Sequence, residues 1–201
     1  MNEGIVSNGK LDCLIPVLRE WQALNARMGS EWSKVKDTPW WYNERALVSL
    51  FAGAVWRCGG DAFEEFVEDK GVETQKEHGR IDLWFCLDEQ EHNAEAKQCW
   101  IYSNDFAKSK RLAMRAKENA VADAKRCIPD GRPRLAMVFA VAIVPKKSRT
   151  NFSKEVEKLV DLSKSVKADA ASWIFPANEV SPTDPNGDVF PGITLWIWKL
   201  R

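Results

Sequence analysis

The run "LAMVFAVAIV" from Leu135 to Val144 constrains the fold more than any other stretch, because it is apolar at every position instead of alternating. It is about half of the roughly 20 residues that a bilayer-spanning helix needs, and Pro133 and Pro145 bound it. A short, β-branched run of this kind reads as a strand buried on both faces, which places it inside a sheet with helices on either side.

The neighbouring segments supply those helices and the other strands. "NERALVSLFAGAVWRCGG" carries Ala46, Leu47, Leu50, Ala54 and Val55 on one stripe and closes on Gly59-Gly60, so it reads as a helix, with Pro39 fitting its start. "AFEEFVEDK", with its mixture of apolar residues and carboxylates, suits an outer strand; "RIDLWFCL" and "NAEAKQCWIY" are two further extended candidates. "SNDFAKSKRLAMRAKENAVADAKRC" has cap-type residues at Ser103 to Asp105 and an inner face of Phe106, Ala113, Ala116, Ala120 and Ala124. The order is helix, three strands, helix, strand. Before it, Leu14, Val17 or Leu18, Trp21, Leu24 and Met28 predict an amphipathic helix that looks peripheral. After it come a helix over "NFSKEVEKLVDLSKSV", a short strand "SWIF", a Pro- and Asn-rich loop, and a closing strand "ITLWIWKL". The expectation is one α/β domain over 1–201: a core at about 40–145 with a mixed central sheet flanked by helices, an N-terminal helical addition at 1–38, and a C-terminal extension at 146–201.

Charge narrows the function classes. The chain is neutral overall, but residues 61–95 hold twelve acids against three bases, and residues 96–158 hold fifteen bases against six acids. An acidic segment beside a basic one can make a cation site flanked by a phosphate-binding surface, although surface charge also segregates by chance. Five cysteines, widely spaced and without a C-x-x-C pair, argue against a disulfide framework and a structural zinc site. They are expected to be reduced and packed in apolar surroundings. The opening residues lack the pattern of a secretory signal, so a cytoplasmic location is expected.

Three polar residues interrupt the strands. Glu95 and Lys97 in "NAEAKQCW" point to one face of a strand, about 6.6 Å apart along it, while Ala96 and Gln98 point to the other. Asp82 lies in the apolar run "IDLWF", where an unpaired buried carboxylate would be costly, and thirteen residues separate it from Glu95, a hairpin's distance. Two hard oxygen ligands and one ammonium form a set that suits Mg²⁺ and phosphodiester hydrolysis. The competing reading is a solvated strand face bearing an ordinary Glu–Lys pair.

These residues and the element order resemble the PD-(D/E)XK nuclease superfamily, whose restriction-endonuclease-like fold has an αβββαβ core. The resemblance spans about Asn43 to Pro145. It implies that Asp82, Glu95 and the backbone carbonyl of Ala96 bind Mg²⁺, with Mn²⁺ as a substitute, and that Lys97 assists the attacking water. Glu44 matches the first-helix acid, which reaches the metal through a water or helps to hold a second ion. Ile81 stands where the superfamily's name has proline. Gln98 faces away from Lys97 in a regular strand and is expected either to support the site from behind or to be an ordinary polar residue of the strand edge. The function implied is hydrolysis of DNA, in preference to RNA, by an endonuclease of restriction, defence or a mobile element. A homodimer or a partner protein would supply recognition, since no nucleotide-binding or zinc-finger pattern is present. The alternatives are a non-catalytic nucleic-acid- or protein-binding module on the same fold, and an unrelated globular protein with a coincidental E-A-K.

Lys108, Arg111 and Arg115 fall on one helical stripe, with Lys125 and Arg126 at its end, and Lys146, Lys147 and Arg149 follow the buried strand. Each set is a solvated basic face by default and a phosphate-contact surface in the functional reading. His78 and His92 bracket the motif, but its chemistry does not need them. Among ten tryptophans, Trp56, Trp84, Trp196 and Trp198 fit core or sheet faces, and Trp40-Trp41 fits packing better than base stacking.

Overall fold

The computed structural model describes residues 2–35, 37–72, 75–127, 131–176 and 183–200; of residues 33, 68–72 and 75–78 it describes the backbone alone. Among the described residues, seven strands form one open mixed sheet: β1 (Asn2–Ser7), β2 (Asp61–Val72), β3 (Gln75–Leu87), β4 (Gln90–Tyr102), β5 (Arg134–Ile143), β6 (Ala170–Phe175) and β7 (Ile193–Lys199). Their spatial order is β1-β6-β7-β5-β4-β3-β2. Among the described strands, only β4 and β5 run parallel; the other neighbours are antiparallel. Four α-helices among the described residues cover the sheet: α1 (Ile15–Trp32), α2 (Glu44–Arg57), α3 (Phe106–Arg126) and α4 (Phe152–Ser165).

The apolar run over β5 has the expected cause. Leu135, Met137, Phe139 and Val141 join a core with α1 and α2. Ala136, Val138, Ala140 and Ala142 join a second core with α3 and α4. The strand is therefore apolar throughout because each face has its own helical layer. The helix, three strands, helix, strand order is present as α2, β2, β3, β4, α3, β5.

Several local expectations give way. α1 is not peripheral: Val17, Leu18 and Trp21 are fully buried in the α2-side core. The segment "NEGIVS", which carries no strong pattern, forms β1 against β6, where Gly4 lets the Trp173 ring lie on the backbone in space a Cβ would need. α2 starts after Asn43, whose side chain accepts from Ala46 N, while Pro39 begins a separate single 3-10 turn. Phe106 is exposed, unlike the buried alanines of α3. Trp56 is 50% exposed and stacks edge-on with Phe63, which lies against Trp84 on the outer face of β2 and β3. Trp196 and Trp198 are core, and Trp40 and Trp41 pack at Phe190. All five cysteines are free thiols; Cys13 is exposed, contrary to the apolar packing expected.

What positions the candidate site is the way β3 and β4 part. They are joined by a two-residue turn, Asp88 and Glu89, both with positive φ, the conformation that matches strand twist in a tight hairpin. Pairing runs from Leu87↔Gln90 to Leu83↔Ala94 and stops there. Beyond that point β3 continues only with β2, and β4 only with β5. The sheet opens between Asp82 and Glu95.

Candidate active site at the split between β3 and β4

A strand edge that loses its partner leaves inward N–H groups that need acceptors. Two carboxylates supply them. Asp82, the first residue of β3 past the last β4 pair, accepts from Ala96 N through Oδ2 at 2.8 Å. Glu44, the first residue of α2, accepts from Gln98 N through Oε2 at 2.8 Å. Because Ala96 N is bonded to the carbonyl carbon of Glu95, the Asp82 oxygen lies at most roughly 5 Å from the Glu95 Cα. The hairpin spacing thus brings Asp82 beside the E-A-K stretch, and the helix start brings Glu44 one residue pair further along β4. Burial raises the Glu44 pKa; the Lys97 charge and the Gln98 N–H oppose this, the charges of Asp82 and Asp123 add to it, and the net shift is upward.

Glu95 and Lys97 share the other face, as alternation requires: Ala94 and Ala96 belong to the α2-side core, and α3 meets the two polar side chains. Lys97 Nζ pairs with Asp123 Oδ2 at 2.8 Å, with the side chains 25% and 36% exposed. Burial works to lower the Lys97 pKa, but the bond to Asp123 and the charges of Glu44, Asp123 and Asp82 outweigh it and hold the ammonium above its ordinary value. Glu95 is 3% exposed, and its Oε1 accepts from Cys127 Sγ at 3.6 Å. Asp123 was not singled out by the sequence. Its only signal is that it follows Ala116 and Ala120 toward Cys127 on the side of α3 that faces β4.

Gln98 behaves as its strand parity demands, donating from Nε2 to Tyr42 O at 2.8 Å on the face opposite Lys97. A groove of about 450 Å³ runs from Lys97 past Trp100 and Tyr102 to Lys108, Arg115 and Asn119, between β4 and α3. Lys108 Nζ sits 4.1 Å above the Tyr102 ring. Arg111 is exposed beside them but does not line the groove. Lys146 and Lys147 follow β5 at the same end of the sheet as Tyr102, in a 3-10 turn. Glu44, Arg45, Val48, Glu64, Glu65 and Asp82 enclose a smaller pocket of about 250 Å³. His92 is a core histidine, stacked on Phe85, and burial lowers its pKa. The side chain of His78 lies outside the described residues.

Comparison with protein-family models, curated proteins and solved structures found no match for this chain.

The donor chemistry fits a hard divalent cation. Each hydrogen bond to β4 occupies one oxygen of Asp82 and one of Glu44, and a carboxylate has lone pairs to spare on the other. Mg²⁺ is typically held by one or two carboxylates and keeps several waters. Among the described residues, no three His, Cys, Asp or Glu side chains converge into a ready metal cluster. Also among the described residues, no helix is long and apolar enough to cross a membrane.

Proposed function

We propose that the chain is a Mg²⁺-dependent nuclease of the PD-(D/E)XK type that hydrolyses DNA phosphodiester bonds, an endonuclease in restriction, defence or the movement of a mobile element. The observation that carries this reading is the pinning of Asp82 and Glu44 to successive inward N–H groups of β4, at the split where Glu95 and Lys97 sit. In this reading Asp82, Glu95 and the Ala96 carbonyl would hold the ion, and Glu44 would reach it through a water or help to hold a second ion. Bound there, Mg²⁺ supplies Lewis-acid chemistry toward the phosphate.

The chain's own groups do the rest. Ala96 N and Gln98 N fix the Asp82 and Glu44 carboxylates before any ligand arrives, so these two need no reorganisation at the moment of reaction. Lys97 is a charged donor beside the phosphate, which suits neutralisation of developing charge and orientation of a water. Lys108 and Arg115 carry cations along the adjoining groove, where phosphates would set the register of the duplex.

The non-catalytic binding module is favoured by one specific observation: Lys97 already has a carboxylate partner in Asp123, and Glu95 is buried beneath Cys127. One experiment separates the two. Protein is incubated with supercoiled plasmid, linear duplex and single strands in Mg²⁺, Mn²⁺ or EDTA, beside Lys97→Ala and Asp82→Ala. Cleavage that needs the metal and is lost in both variants supports the nuclease. Cleavage in EDTA, or undiminished in both variants, sinks it, and binding without cleavage on any substrate establishes the module.

A further inference from the structure

The proposed chemistry leaves Asp123 without a role, yet its carboxylate pairs directly with Lys97 of the motif. Asp123 and Cys127 stand one helical turn apart and meet Lys97 and Glu95, which stand two residues apart on β4. The helix is brought down to this distance by small residues: Ala113, Ala116, Ala120 and Ala124 are all buried against the sheet. Leu112, Ala116 and Asn119 line the groove that Lys97 opens into, and Asp123 continues that side of the helix by a further turn. The arrangement is continuous from the basic groove to the split.

A lysine ammonium has three N–H donors on a flexible four-carbon stem. Asp123 takes one of them and leaves two. The same ammonium lies within the fields of Glu44 and Asp82, neither of which contacts it. Without Asp123, the stem could fold onto either of those carboxylates, and the ammonium would then compete with a cation for their oxygens.

We propose that Asp123 is a positioning residue of this site: its carboxylate holds Lys97 on the α3 side of the split, away from Asp82 and Glu44, with two N–H donors left for a phosphate oxygen and a water. This rests on the nuclease reading. Asp123 acts through Lys97 and touches neither metal nor substrate. Half-exposed ion pairs contribute little to stability, so the isosteric Asp123→Asn variant keeps the fold.

The test compares wild type, Asp123→Asn, Asp123→Glu and Lys97→Gln/Asp123→Asn with Lys97→Gln. Expected for Asp123→Asn is a kcat for DNA cleavage lower by about 10- to 100-fold, the range that misplacement of one group produces, with KM and Mn²⁺ affinity within about threefold. Asp123→Glu recovers part of the loss. In ¹⁵N-lysine-labelled protein the side-chain N–H signal of Lys97 disappears in Asp123→Asn and returns in Asp123→Glu, whether or not a variant is active. Asp123→Ser gives the same comparison if Asn unfolds the protein. An unchanged kcat and an unchanged Lys97 signal overturn the proposal. So does a loss of Mn²⁺ affinity, which would make Asp123 a ligand, or a full additional loss in the Lys97→Gln background. Wild type that cleaves nothing refutes the nuclease reading itself, a result distinct from active wild type with an equally active Asp123→Asn.

Discussion

At the scale of the residue, Asp82 has two duties that substitution can separate. Its Oδ2 satisfies the Ala96 N–H at a strand edge without a partner, and its charge suits a cation. Asp82→Asn keeps an acceptor oxygen and removes the charge; unfolding free energy should stay within about 1 kcal/mol of wild type while the cleavage rate falls by about 100-fold or more. Asp82→Ala strands the N–H and should cost about 1–3 kcal/mol in addition to activity. Urea denaturation and a plasmid-cleavage rate check both, and equal stability in the two variants would dismiss the structural duty. The residues that were legible in sequence share this character: Asp82, Glu95 and Lys97 interrupt strands that are otherwise apolar, and Glu44 opens a well-marked helix. Asp123 was not legible, because an acid on a helix rich in lysine and arginine has the appearance of a solvated face. Only the angle at which α3 lies on β4 gives it a partner.

At the scale of the element, α3 has two faces with different tasks. Its alanines admit close packing on β4 and β5, and its opposite stripe carries Lys108, Arg111 and Arg115 to solvent. Lys108 and Arg115 line the groove and Arg111 stands beside it. If these three contact phosphates, each neutralised phosphate of B-DNA contributes ~0.9 to the slope of log affinity against log salt. The triple Gln variant should therefore bind non-cognate duplex more weakly at low salt, with a slope reduced by about 2 to 3. Fluorescence anisotropy over a salt series reads this directly, and an unchanged slope would return the stripe to an ordinary solvated face. The same element shows what a sequence pattern can convey. The alanine spacing marks the buried stripe, because small residues at helical period leave little else to bury. Phe106, the first residue of the helix, shares that period but is exposed. Conversely, β1 has only two strongly apolar residues in "NEGIVS", and its existence follows from the free edge of β6.

At the scale of the whole molecule, the ends of the chain complete the sheet: β7 lies between β5 and β6, with β1 at the far edge. Local pattern identifies β6 and β7 as strands but carries no information on which neighbours they choose, and α1 looks peripheral in sequence because the strand it packs on, β6, lies far along the chain. Asp169 ties these remote pieces together. It accepts from Lys10 Nζ at 2.8 Å, from Asn8 Nδ2 at 2.8 Å and from Lys199 N at 2.9 Å. Burial pushes its pKa up, but Lys10, Asn8 and the Lys199 N–H outweigh burial and hold it below the ordinary value. The folded protein therefore binds this proton less readily than the unfolded chain. The resulting stability is complete above the ordinary aspartate value of about 4 and is lost as pH falls through the lower folded value. Asp169→Asn should be less stable than wild type by on the order of 1–3 kcal/mol at pH 7, as expected for charged hydrogen bonds. The difference should shrink when the pair is compared by urea unfolding at an acidic pH below the ordinary aspartate value. A gap of the same size at both pH values would mean that Asp169 holds the chain ends by shape alone, with no contribution from its charge.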